Sequence, residues 1–253
     1  MTYLNHEAFL SALPAAPSPQ VTDKYMFLDT RKVVDDMKDL GYEVAGVRRP
    51  KARTKAGAYA LHEVEFRKPE HIGQGVDEAP RILFFNSYDG SRKAQFMMGL
   101  IRFACDNGLV LGDHLQQAKF VHLGDHLDQL MEQVVGMVEK QDEIFGRIDR
   151  MKTITLDRLD ALALAEQATE LRFPDEGIDI NPSNFLQVRR REDLAPNLWT
   201  RWNVLQENLL KGGVPIVNAK GQARLSAPVN EIDRSTKLNK DLWDLAERFA
   251  EAA

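Results

Sequence analysis

Apolar residues change their spacing once along this chain. Up to about residue 123 they come in short runs, some alternating with polar residues, broken by turn formers. From Gly124 onward they recur every three or four residues. The first habit builds strands and the second builds amphipathic helices. Strands first and helices after is the α+β order. The expected architecture is a mainly antiparallel sheet in the N-terminal half, followed by a helical hairpin and further helices packed on it.

In the first half, Tyr25–Leu28 predicts a short strand. Thr30 is placed to cap a helix running to about Leu40. Val33, Val34, Met37 and Leu40 share one face of it, and Gly41 is its stop. Tyr42–Val47 predicts a strand. Tyr59–Phe66 alternates, with Ala60, His62, Val64 and Phe66 expected inward and Tyr59, Leu61, Glu63 and Glu65 forming a mixed second face. His62 is expected on the apolar face with a hydrogen-bond partner. Arg81–Asp113 predicts a strand, a tight turn at Asp89-Gly90, a second strand and a sharp turn at Asn107-Gly108. Lys119–Leu123 predicts one more strand.

In the second half, Leu127, Leu130, Met131, Val134, Val135, Val138, Ile144, Phe145, Ile148 and Met151 predict a long helical stretch capped by Asp125. Leu156–Leu171 predicts a second helix, with Leu156, Leu159, Leu162 and Ala163 on one side, and the two together predict a hairpin. Phe185, Leu186, Leu198, Trp199, Trp202, Leu205 and Leu209 mark a third helical zone that stops at Gly212-Gly213. A last helix, about Asn239–Ala250, presents Leu242, Leu245, Ala246 and Phe249. Trp199, Trp202 and Trp243 are expected as apolar anchors. Residues 1–22 contain the run PAAPSPQ and read as an extended arm, disordered or laid on a partner. No Gly-, Ser- or Pro-rich linker divides the rest. Residues 23–253 therefore read as a single domain, β-rich over 23–123 and helical over 124–253.

Composition narrows the class without naming a function. The chain has 253 residues, 43% hydrophobic and 28% charged, as a globular domain with a sizeable core requires. No apolar run approaches the roughly 18 residues of a membrane helix, and the N-terminus lacks the basic start of a secretory signal. A cytoplasmic protein with no membrane contact is expected. One cysteine, Cys105, excludes an intrachain disulfide and a four-cysteine zinc site, and it reads as a small buried side chain. The net charge is -5, and the whole acidic excess falls within residues 114–170. A global basic field for nucleic acid is absent, while a local one remains open.

That local field has a candidate. Arg48, Arg49, Lys51, Arg53 and Lys55 follow one another with no acid between them, and Tyr59 comes soon after. A cationic loop beside an aromatic can grip a nucleic-acid backbone, or it can simply be a solvated hairpin loop. Arg92 and Lys93 follow the Asp89-Gly90 turn and join the same patch if both loops leave one edge of the sheet. Arg189, Arg190 and Arg191 precede Glu192 and Asp193, so local neutralisation is expected there. His122 and His126 are four apart, but Gly124 interrupts the helix a metal pair needs. His62 and His114 add no spacing argument. No metal, cofactor or catalytic constellation is expected, and no phosphate-binding glycine loop is present.

Four segments carry a resemblance: Asn86–Ser91 (NSYDGS), Gly99–Val110 (GLIRFACDNGLV), Leu198–Asn208 (LWTRWNVLQEN) with Gly212-Gly213, and Lys237–Glu247 (KLNKDLWDLAE). Together they resemble a phage- and plasmid-borne family catalogued as domain of unknown function nine-three-two. In that family the first segment more often has His where this chain has Tyr88. The resemblance implies a mobile-element protein and carries over no activity. The order of strands and helices, with a basic hairpin, also looks like phage single-strand annealing proteins at the level of fold. These implications favour a non-enzymatic DNA-binding protein acting on single-stranded DNA in recombination or replication, working as a homo-oligomer. Arg48, Arg49, Lys51, Arg53, Lys55, Arg92 and Lys93 would neutralise phosphates, with Tyr59 or Tyr88 stacking on bases. A second reading is a phage or plasmid inhibitor of a host defence complex, or an assembly protein, whose acidic 125–170 hairpin meets a host protein. A third is an enzyme using His62, His114, His122 or Cys105.

Overall fold

Asp29, not Thr30, caps the first long helix. Its carboxylate accepts the Arg31 N–H at 2.9 Å, and helix α2 runs Thr30–Asp39, with Val33, Val34 and Met37 buried and Gly41 at φ +78° just past its end. The computed structural model describes residues 5–49, 55–72, 78–102, 107–110, 117–120, 132, 134–136, 138–139, 141–174, 179–218 and 220–253. These fall in two compact units, residues 1–103 with 113–140 and residues 104–112 with 141–253. The α+β class holds. The stretch 25–29 is irregular rather than a strand.

In the first unit the arm is part of the fold. Asn5 caps a short helix, α1 (His6–Ser11), and Phe9 and Leu13 are buried. The proline-containing run 14–20 carries neither helix nor strand, and Ser18 within it is buried. Strands β1 (Glu43–Arg48), β2 (His62–Arg67), β3 (Glu78–Asn86) and β4 (Ala94–Arg102) pair antiparallel in that order. β5 (Asn107–Val110) lies in the second unit, and β6 (Gln117–Phe120) pairs with β4. Asn107-Gly108 thus sits in a strand, not a sharp turn; tertiary context outweighs the local turn preference. β1 carries a bulge between Val44 and Gly46.

The two faces of the sheet differ in kind. Val64, Phe66, Ile82, Phe84, Phe96, Met98 and Leu100 are buried on the apolar face, and Thr30 of α2 reaches that face through His62 and Asn86. The alternate positions of β2 are equally buried. Glu65 bonds Arg67 at 2.6 Å and Arg81 at 2.9 Å, and Glu63 bonds Arg48 at 2.8 Å. Burial raises both carboxyls. For Glu65 the pull of Arg81 and Arg67 exceeds it and the group ends below the usual range; Glu63 stays above.

In the second unit α3 (Gln141–Thr153) and α4 (Arg158–Arg172) follow one another across the short connection 154–157. α3 packs against α5 (Leu198–Lys211), and α4 against α5 and α6 (Ile232–Ala252). That connection is bonded to the start of α5 and the residues before it: Leu156 N–H donates to Pro196 C=O and Leu198 N–H to Ile154 C=O. α4 also buries another stripe than the leucines suggested. Leu159 is 74% exposed, while Ala161, Leu164, Ala165, Ala168 and Arg172 are buried. Small alanines let a neighbouring helix approach closely, which a stripe of leucines would prevent.

α5 is buried at every position except Arg201, Leu210 and Lys211. Its buried Asn203, Gln206, Glu207 and Asn208 side chains all find partners. Asn208 donates to Phe185 C=O at 2.7 Å and accepts from Arg189, and Glu207 accepts both Arg190 and Lys211. Trp202 Nε1–H donates to Leu242 C=O at 2.7 Å, stacks on Trp199 at 5.3 Å and meets Trp243 edge-on at 6.1 Å, so the three tryptophans are anchors as expected. Arg190 also meets Asp193 at 3.2 Å, the local neutralisation expected of that run. α6 begins earlier than Asn239, and a small hairpin, β7 (Pro215–Val217) with β8 (Ala223–Leu225), follows α5.

Two substitutions test these supports. Glu65→Ala leaves two buried guanidinium groups without their carboxylate and is expected to cost about 3–5 kcal/mol in urea unfolding. Gly212→Ala forces a positive φ on a residue with a Cβ, and that Cβ would overlap the Ser226 carbonyl. It is expected to lower stability by about 3 kcal/mol, read by the same measurement.

Candidate nucleic-acid interface

The sheet register decides where the basic segments go. Arg48 is opposite Glu63, His62 opposite Asn86, and Phe85 opposite Gln95. The end of β1, the start of β2, the end of β3 and the start of β4 therefore share one end of the sheet. The connection 49–61 and the turn 87–93 leave from that end together. A backbone bond joins them: Tyr88 N–H donates to Tyr59 C=O at 2.7 Å.

The residues expected to bind divide into several groups. Arg92 and Lys93 are exposed at the tip, beside the half-buried Asp89. Arg49 is half-buried, with its guanidinium 5.6 Å from the centre of the Phe9 ring. Arg48 is bonded to Glu63 and belongs to the buried ion network. Lys55 opens a 3-10 turn, Lys55–Ala58, and Lys51 and Arg53 lie outside the described residues. Tyr59 is half-buried. Tyr88 corrects the expectation of base stacking: it is fully buried, packed edge-on against Phe27 at 4.6 Å and His62 at 5.2 Å. Cys105, His114, His122, His126 and most of the acidic stretch 125–140 also lie outside the described residues or have only their backbone described.

Beneath the tip is a buried polar cluster that sequence reasoning only half found. Asn86 Nδ2 donates to Leu28 C=O at 2.9 Å and to Thr30 Oγ1 at 3.1 Å. Thr30 N–H donates to the Tyr88 hydroxyl at 2.9 Å. His62 lies 2.7 Å from Thr30 Oγ1 through Nε2 and 3.2 Å from Ala60 C=O through Nδ1. A carbonyl only accepts, so Nδ1 carries the proton and Nε2 accepts from Thr30. The ring is neutral, and burial lowers its pKa to about 4. Burial raises the Tyr88 hydroxyl, and burial with the nearby Asp89 pushes Tyr25 up to about 12. His62 was expected to have a partner; that the partner is Thr30 was not legible, because 32 residues separate them. Among the described residues no three His, Cys, Asp or Glu side chains gather to hold a metal.

The model of a domain of unknown function, DUF932, matches residues 19–243. The chain belongs to the DUF932 family. It is similar to two proteins of Escherichia coli (strain K12), UPF0380 protein YfjQ and UPF0380 protein YafZ, each 32% identical over 235 residues, covering 89% of this chain and 82% of the relative. No solved structure matches. The NSYDGS segment, one of the four that carry the resemblance to DUF932, builds the tip and contributes Asn86 and Tyr88 to its buried support. Among the described residues no helix is long and apolar enough to cross a membrane.

The His62 ring makes a pH prediction for this DUF932 member. Its folded pKa, about 4, lies below the ordinary 6.5, so the unfolded chain takes up the proton first as pH falls. The stability is whole above pH 6.5 and is lost progressively toward pH 4. Urea unfolding is expected to show a loss of about 2 kcal/mol between pH 6.5 and about pH 5, above the range of ordinary carboxylates. His62→Gln is expected to be less stable at neutral pH and to flatten that slope.

Proposed function

We propose that this protein binds single-stranded DNA, without catalysis, through the end of the sheet formed by residues 49–61 and 87–93. The observation that carries the reading is the register, which brings two separate basic segments to one end of the sheet and joins them by a backbone bond. Arg49, Arg92 and Lys93 face phosphates, with Lys51, Arg53 and Lys55 of the same connection adding charge. Tyr59 is the aromatic that remains to stack on a base, since Tyr88 is buried. Arg48 is left out because its guanidinium holds Glu63. The order of strands and helices, like that of phage single-strand annealing proteins, favours a single strand over a duplex, and the family resemblance favours a mobile-element setting.

Phosphate contacts release counterions, so affinity falls with salt by about 0.7 in log–log slope per neutralised phosphate on a single strand. Anisotropy of a labelled oligothymidine, titrated at several salt concentrations, is expected to show this dependence. Arg92→Ala with Lys93→Ala is expected to reduce the slope by about 1.4. Binding indifferent to salt, or a slope unchanged in that double variant, sinks the proposal. Arg48→Ala is expected to report mainly in unfolding rather than in slope.

A further inference from the structure

The segment from α1 to Tyr25 touches the tip at backbone groups that the β ladder leaves behind. The last ladder pairs at this end are His62 with Asn86 and Phe85 with Gln95, so the carbonyls of Ser87 and Tyr88 lie beyond them. Buried carbonyls need donors. The segment supplies both: the Tyr25 hydroxyl donates to Ser87 C=O at 2.7 Å, and Ser18 N–H donates to Tyr88 C=O at 2.8 Å. Val21 closes against Gly90, whose φ is +74° and where an added Cβ would stand 3.3 Å from Val21 Cγ1. Ser87 then passes its position on. Its hydroxyl accepts Arg92 N–H at 3.0 Å and donates to Arg92 C=O at 3.1 Å.

The same segment is held at two further points. Phe9 lies against the Arg49 guanidinium and edge-on to His62 at 5.8 Å. The Leu13 and Pro14 carbonyls accept from Arg31 at 3.3 and 3.1 Å, and Arg31 is itself paired with Asp29 at the start of α2. One stretch of chain is therefore tied to the 49–61 side, to the helix and to the 87–93 tip.

We infer that residues 5–25 are a strap that fixes the conformation in which the tip presents Arg92 and Lys93, with Tyr25 as a positioning residue for the DNA site. The inference rests on the binding reading above. Tyr25 contributes no charge to that site; it acts through Ser87, which is bonded to the Arg92 backbone. Loosening the strap should weaken binding without changing the number of phosphates neutralised.

Tyr25→Phe in the full chain tests this with two readouts. Amide exchange at Tyr88 and Arg92 is expected to rise about five- to tenfold, while exchange at Phe84 within β3 stays as it was. Oligothymidine affinity is expected to fall several-fold with an unchanged salt slope. Phe9→Leu, which loosens the far end of the strap, is expected to do the same more weakly. Unchanged exchange at 88–92 overturns the strap. Raised exchange with unchanged affinity overturns Tyr25 as a positioning residue. A wild-type chain that binds no oligothymidine overturns the DNA reading and the positioning role with it, and exchange alone then decides whether the strap holds the tip.

Discussion

The Thr30 hydroxyl accepts from the Asn86 amide and donates to the His62 ring, and the N–H of the same residue donates to the Tyr88 hydroxyl. Through these bonds the start of a helix, the ends of two strands and the base of a turn share one small group. Each partner is buried, so each would lose water and gain nothing if a neighbour left. The basic end of the sheet inherits its shape from this cluster. Arg92 and Lys93 are exposed, but the turn that carries them begins at Ser87 and Tyr88, which are buried.

The ion network on the second face of β2 works under a different constraint. Glu63 and Glu65 alternate with Val64 and Phe66, and strand geometry sends the two glutamates to the side opposite the apolar core. There they are buried as well, and only the arginines of β1, β2 and β3 make that tolerable. The network takes Arg48 out of the basic loop in which it stands in sequence. Spacing alone groups Arg48 with Arg49; pairing separates them, because one faces Glu63 across the ladder and the other passes beyond it.

Period and turn formers made the α+β class and the helix stop at Gly212 readable from sequence, since each of these depends on a few neighbours. What was missed depends on distant partners. Nothing near Phe9 and Leu13 in sequence announces that both are buried. α4 was assigned its leucine stripe, while close helix contact selected the alanines. Tyr88 looked like an exposed turn aromatic, and burial against Phe27 and His62 removes it from any ligand. The candidate site was half legible: its cations stand in the sequence, but only the register shows that two loops meet.

The bulge in β1 bears on how copies of this chain could associate. β1 ends the order of paired strands in the first unit and would otherwise offer its outer backbone to another strand. The register step between Val44 and Gly46 breaks the even spacing that such a template needs, and a kinked edge matches a second straight strand poorly. Growth of the sheet from chain to chain is thus discouraged on that side.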